Sequence, residues 1–128
     1  MVKIWSDHVI IGIGTDIIEI SRIEKAISRS GFLTKYFTEA ENILFENKKA
    51  QSIAANFAAK EAVAKALSTG FTSFSPIDIE ILRKSSGAPY AILYGKAREL
   101  AAEKAIKTIH ISISHCIEYA IAYVVAES

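Results

Sequence analysis

Lys60, Glu61 and Lys65 stand in NFAAKEAVAKAL, residues 56–67, a run otherwise made almost wholly of alanine and other apolar helix formers. Unpaired buried charge is among the costliest things a fold can contain, so these three need partners. On a helix Glu61 and Lys65 are four apart, in the order that favours an ion pair. A surface pair of that kind is worth only about half a kcal/mol. Ala58, Ala59, Ala62, Val63, Ala64 and Ala66 leave it almost no solvated face. A carboxylate flanked by two ammonium groups equally suits a magnesium–phosphate site, the carboxylate on the metal and the lysines on phosphate oxygens, and the residues alone leave the two readings even. The small side chains also let a strand or a ligand approach the helix backbone closely.

A second carboxylate with chemical promise is Asp16, in GIGTD, residues 12–16. Gly12-x-Gly14 after a strand invites a dinucleotide-binding reading, but that fingerprint needs a third glycine and a helix that follows at once. Asp16 and two isoleucines stand where the helix would begin, which excludes it. Asp16 then projects from a strand end, either to hold a hard cation or simply to cap a turn. Arg22, Lys25 and Arg29 recur at i, i+3 and i+7, along one stripe. The stripe is a solvated face, or a docking surface that speeds encounter with an acidic partner. Ser114 and His115 end the HISISH run, and neighbours in a strand point to opposite faces, so they make no catalytic dyad. No G-x-S-x-G elbow occurs, and no His and Cys cluster supports zinc.

The elements that must carry these residues can be read in order. VIIGIG, residues 9–14, is a buried strand. SRIE, from Ser21, reads as a capping box that opens a helix ending at Gly31. TEAE, from Thr38, is a second capping box and starts a short helix. The long helix runs from about Ser52 to Ser68. Ile77, Ile79 and Ile81 alternate with Asp78, Glu80 and Leu82 as a strand. SSGAP is a turn in which Pro89 interrupts the ladder, and YAILY is the partner strand. Residues 95–106 are helical, HISISH is a strand with Ile109, Ile111 and Ile113 on one face, and EYAIAYVVA closes the chain. The fold class is α+β: a mainly antiparallel sheet with helices packed on one face, in a single domain over residues 1–128.

Composition narrows the function. The chain has 128 residues, 51% hydrophobic and 23% charged, with a formal net charge of +1. Near-neutrality argues against wholesale nucleic-acid binding. The lone Cys116 lies in an apolar run and reads as a small buried hydrophobe, with no internal disulfide to form. No apolar run reaches the roughly twenty residues of a membrane span. The start, MVKIWSDHVIIGIG, is broken by Asp7 and His8 and lacks a leader's cleavage pattern, so a cytoplasmic protein is expected.

GIGTDIIEISRIE, FTEAE, FAAKEAVAKAL, SPIDIEI, GAPY and ISISH together resemble the holo-acyl-carrier-protein synthases, small 4′-phosphopantetheinyl transferases, in the family's own order from residue 10 onwards. The resemblance implies transfer of the 4′-phosphopantetheine arm of coenzyme A to a serine of apo acyl carrier protein, with release of adenosine 3′,5′-bisphosphate. It implies Mg²⁺ held by Asp16 and Glu61, and Lys60 and Lys65 near the coenzyme phosphates. Gly87, Pro89, Ser114 and His115 are implied to help hold coenzyme A. It further implies a homotrimer with sites at subunit boundaries, and an acidic carrier for Arg22, Lys25 and Arg29. The serine's proton has two acceptors, a carboxylate or water held by the ion. Asn56 departs from the pattern, standing where many relatives carry arginine, and residues 1–8 have no role in it. Two rivals stand beside this reading: a broader transferase serving carrier domains of large synthases, and a carrier-binding module without activity. Single-domain length disfavours the first, and intact Asp16, Glu61 and Lys65 the second.

Overall fold

The computed structural model describes residues 8–68 and 70–128; the opening residues 1–7, part of the stretch weighed above as a leader, lie outside them. Strand β1 covers Ile10–Glu19 and runs directly into helix α1, Ile20–Ile27. Short helices α2, Phe32–Tyr36, and α3, Glu39–Leu44, lead to the long α4, Ala50–Leu67. A 3₁₀ turn at Pro76–Asp78 precedes the hairpin of β2, Ile79–Arg83, and β3, Pro89–Leu93. Helix α5, Gly95–Glu103, then leads to β4, Thr108–His115, and β5, Tyr119–Glu127.

The strands make two antiparallel sheets, one of order β1-β5-β4 and one of β2-β3. Helix α4 lies across β1 and β5 and reaches β4 and β2. Period-two alternation decides what it covers. Ala120, Ala122, Val124 and Ala126 of β5 turn toward the helix and are fully buried. Ile109, Ile111 and Ile113 of β4 pack into the same core. The opposite face of this sheet carries Ile13, Ile17, Ile121 and Tyr123, between 41% and 61% exposed. Helices therefore pack on one face, as the pattern of the chain requires.

Several boundaries differ from those read in the sequence. Strand β1 continues five residues beyond Gly14 because β5 pairs with it as far as Glu19↔Tyr119. Asp16 therefore sits within the strand, opposite Ala122, and caps no turn. Ser21 is not an N-cap: the helix starts at Ile20, whose N–H donates to the Glu118 carbonyl, and the flanking Glu19 makes no side-chain cap. Helix α1 ends at Ile27, and Gly31, at φ +84°, is instead the joint before α2. The Thr38 box is present in full, its hydroxyl accepting from Glu41 N–H while Glu41 accepts from Thr38 N–H. Ile77 belongs to the 3₁₀ turn rather than to β2. Pro89 opens β3 opposite Arg83 at the ladder's end, where a missing N–H is tolerated. Cys116 is exposed, in the tight turn that joins β4 to β5. The β-branched run around it forms strands and leaves the turn residues outside.

Candidate active site

Gly12, Gly14 and Asp16 alternate onto the helix-facing side of β1. A Cβ at Gly12 would lie 2.0 Å from the Ala66 carbonyl oxygen, and one at Gly14 would lie 1.9 Å from that of Ala62. Ala62 and Ala66 are one turn apart, as are Glu61 and Lys65 beside them. The glycines thus serve neither a nucleotide loop nor a turn. They let strand and helix backbones touch, and the next inward residue of the strand, Asp16, reaches the row that holds Glu61 and Lys65.

Lys65 Nζ lies 3.3 Å from Asp16 Oδ1 and donates to the Thr15 carbonyl at 3.0 Å. The lysine is 45% exposed and Asp16 only 18%. Burial pushes the Asp16 carboxyl above its ordinary range, against the opposing pull of Lys65. Burial also pushes Glu61 up, and the charge of Asp16 adds to it, with Lys65 again opposing. Two carboxylates thus share one ammonium, and among the described residues no protein donor hydrogen-bonds Glu61. The cluster is short of positive charge. Among the described residues no third His, Cys, Asp or Glu joins it as a metal ligand. Two hard oxygen donors with open positions suit an ion such as Mg²⁺, which keeps most of its shell for water and phosphate oxygens.

Lys60 corrects the sequence expectation that it faces coenzyme phosphates. Its side chain is 1% exposed, and Nζ pairs with Glu41 Oε1 at 2.6 Å. It also donates to the carbonyls of Pro76, at 2.9 Å, and Ile79. An ammonium has three N–H donors, and all of them are used. Burial pushes its pKa down while Glu41 holds it up. Its nitrogen also lies 5.2 Å from the Phe37 ring centre. Asn56, one turn before Lys60, is equally buried; its Nδ2 donates to the Ile81 carbonyl at 2.8 Å and to Glu41 Oε2 at 3.3 Å.

Among the described residues, no hydrogen bond or ion pair joins Gly87, Pro89, Ser114 or His115 to the carboxylate cluster. Gly87, at φ +92°, closes an exposed turn whose N–H donates to the Lys84 carbonyl at 2.8 Å. Ser114 pairs with Ile121 on the open sheet face, while His115 pairs with Ala120 on the helix side. They face opposite ways, which excludes a dyad as expected.

Arg22, Lys25 and Arg29 do come together. They line a hollow of about 360 Å³ floored by Ile18, Phe32 and Phe57. Phe57 is one turn before Glu61 on α4, and Ile18 is the next inward residue after Asp16 on β1. The basic hollow therefore adjoins the carboxylates. Phe32 has no place in the sequence motifs, and Phe57 opens FAAKEAVAKAL without having been assigned a role there; its i, i+4 spacing to Glu61 is the signal that links it to the site.

Comparison with known proteins gives one result. Residues 12–124 match the model of the 4′-phosphopantetheinyl transferase superfamily. A holo-[acyl-carrier-protein] synthase of Lachnoclostridium phytofermentans is 49% identical over 120 residues, 92% of this chain and 96% of that protein. The crystal structure of the Helicobacter pylori holo-[acyl-carrier-protein] synthase in complex with coenzyme A is 38% identical, with a TM-score of 0.79 over 89% of this chain and 98% of that one. The Plasmodium yoelii acyl carrier protein synthase with ADP bound is 36% identical, with a TM-score of 0.86 over 94% of this chain and 97% of its own. With its carboxylates brought together by a glycine-mediated strand–helix contact, the chain belongs to the 4′-phosphopantetheinyl transferase superfamily.

Proposed function

We infer that this protein transfers 4′-phosphopantetheine from coenzyme A to a serine of an apo acyl carrier protein. The observation that carries the reading is the underneutralised pair Asp16 and Glu61 beside Lys65, one step along β1 and α4 from the Ile18 and Phe57 that line a basic hollow. The serine oxygen bonds to the phosphorus that carries the pantetheine arm, the bond from that phosphorus to the bridging oxygen breaks, and adenosine 3′,5′-bisphosphate leaves with the electron pair. As the new bond forms, the serine proton passes to a carboxylate of the pair or to a water molecule beside it. Such transfer asks for positioning and charge neutralisation more than for covalent participation.

Asp16 and Glu61 hold Mg²⁺, which supplies positive charge at the diphosphate. Lys65 holds the two carboxylates' approach together and adds a cation to the leaving phosphate's surroundings. Gly87, Pro89, Ser114 and His115 contact coenzyme A. Arg22, Lys25 and Arg29 receive the acidic carrier, and Phe32 and Phe57 its apolar side chains. The open sheet face with Ile13, Ile17, Ile121 and Tyr123 is the surface on which further copies assemble, giving a homotrimer. No helix among the described residues is long and apolar enough to cross a membrane, in keeping with a cytoplasmic reaction.

Mass spectrometry of apo carrier incubated with coenzyme A, Mg²⁺ and this protein tests the reading. A gain of the phosphopantetheine mass is expected, and an unchanged carrier mass across pH and ion conditions overturns it. In the same assay Arg22→Glu lowers carrier affinity about tenfold and flattens its salt dependence. An unaltered affinity returns the stripe to a plain solvated face.

A further inference from the structure

Among the described residues, the outer edge of β2 has no strand beside it, since the second sheet there consists of β2 and β3. Buried edge groups left unpaired are costly. Here side chains take a strand's place. Lys60 donates to the Ile79 carbonyl, Glu41 Oε2 accepts from Ile81 N–H at 3.1 Å, and Asn56 donates to the Ile81 carbonyl at 2.8 Å. Lys60 and Asn56 are one turn apart on α4, so both lie along the same helix row and grip the same strand.

Three successive residues of α4 then point to three different places, because each helical step turns by about 100°. Lys60 clasps β2, Glu61 faces the carboxylate site, and Ala62 rests on Gly14 of β1. We propose that Lys60 and Asn56 are positioning residues that fix the β2–β3 hairpin, and with it the Lys84–Pro89 turn, relative to Glu61. They touch no substrate. Their effect is on where the turn stands when coenzyme A arrives, and in this respect the inference rests on the reading that Gly87 and Pro89 contact the coenzyme. The same clasp explains why a lysine belongs in a buried helix: its three donors are matched to one carboxylate, to the outward Ile79 carbonyl and to the Pro76 carbonyl, which also accepts from Ile79 N–H.

The test uses the full chain and the variants Asn56→Ala, Lys60→Met and Lys60→Arg. Thermal melting establishes that each folds, amide hydrogen exchange by NMR reads Ile81 and the hairpin, and initial rates are taken over a range of coenzyme A with Mg²⁺ and apo carrier. Asn56→Ala and Lys60→Met exchange at Ile81 about tenfold faster and raise the KM for coenzyme A about tenfold, with kcat within about threefold. Lys60→Arg, which keeps the donors, recovers most of the KM. A folded Asn56→Ala with native exchange at Ile81 and native KM overturns the proposal, and so does a loss confined to kcat. Should Lys60→Met fail to fold, Asn56→Ala decides alone. Absence of transfer by the unaltered protein defeats the functional reading instead, while the exchange data still judge the clasp.

Discussion

Lys60 and Glu61 are chain neighbours, yet the clusters around them are built on opposite plans. Glu41 accepts from Lys60, from Thr38 N–H, from Asn56 and from Ile81 N–H, so both carboxylate oxygens are fully supplied from within the protein. Glu80 beside it accepts from the Thr38 and Tyr94 hydroxyls. Across the helix, Asp16 and Glu61 repel one another and share a single half-exposed lysine. The first cluster is closed in its charges: every donor has an acceptor, and among the described residues the Asn56 side-chain oxygen is the one buried side-chain atom left without a hydrogen-bond partner. The second is open, with an excess of negative charge and oxygens that face no protein donor. Charge matched internally marks structure, and charge left unmatched at a surface marks a place where something binds.

The widest gap between the two clusters should appear when each loses one carboxylate. On the proposed function, Glu61→Gln lowers transfer about a thousandfold, since one of the two carboxylates that would hold Mg²⁺ at the diphosphate is gone. Its melting temperature holds or rises, because the repulsion with Asp16 is relieved. Glu41→Gln has the opposite profile: it leaves the Lys60 ammonium buried against a neutral amide and costs about 3–5 kcal/mol in urea unfolding. If Glu61→Gln unfolds the protein, or Glu41→Gln leaves stability untouched, the contrast between the clusters is wrong.

A smaller effect comes from separating the backbones that bring the open cluster together. Gly14→Ala puts a Cβ where the Ala62 carbonyl oxygen stands, 1.9 Å away, and the backbone on one side must move. Stability falls by about 1–3 kcal/mol. Transfer falls about a hundredfold, because Asp16 is shifted from Glu61 by a fraction of an ångström or more. Measured together, the two numbers sharpen the comparison: the closed cluster, gripping β2 instead, keeps its Ile81 amide protection.

The smallest effect is on pH dependence. Asp16 and Glu61 both have carboxyls raised above their ordinary values of 3.8 and 4.5. A carboxyl raised in the folded state holds protons that the unfolded chain has released. Without metal, then, these two groups weaken stability as pH rises from those ordinary values through the raised ones. On the proposed function, Mg²⁺ held by the two carboxylates would reverse this by pairing with their charged forms. The gain in melting temperature on adding Mg²⁺ therefore grows as pH rises through the acid range and levels off toward neutrality. A gain of equal size at every pH contradicts the assignment of the open cluster.

The parts of this arrangement that were legible in the sequence are those governed by short-range pattern. The Thr38 capping box, the alternating isoleucines of β4 and the alanine-rich α4 all follow from local periodicity and capping chemistry. Asp16, Glu61 and Lys65 could be singled out because carboxylates amid glycine or alanine have few structural excuses. What pattern could not supply was the partner. Lys60 carries the same chemistry as Lys65, and only the long-range meeting of α3, α4 and β2 shows that Glu41 takes it. A sign was available: Asn56 and Lys60 lie one turn apart on an otherwise apolar helix, which calls for buried acceptors on that side. Ser21 failed as a cap for a similar reason, because Glu118, almost a hundred residues away in sequence, supplies the carbonyl that starts α1 two residues sooner. Cys116 looked buried by its neighbours' composition, but β5 folds straight back after it and leaves the turn in solvent.

Gly12 and Gly14 against Ala66 and Ala62 make a seam with no rotamers in it. Elsewhere in a core, a small change in shape is absorbed when a leucine or methionine swings to another well. Nothing at this seam can swing. Strand and helix must tilt or slide as rigid rods, and the separation of the backbones that carry the two acidic residues changes only when they do. That separation is thus set by the thickness of two backbones, which makes it intolerant of a single added methyl.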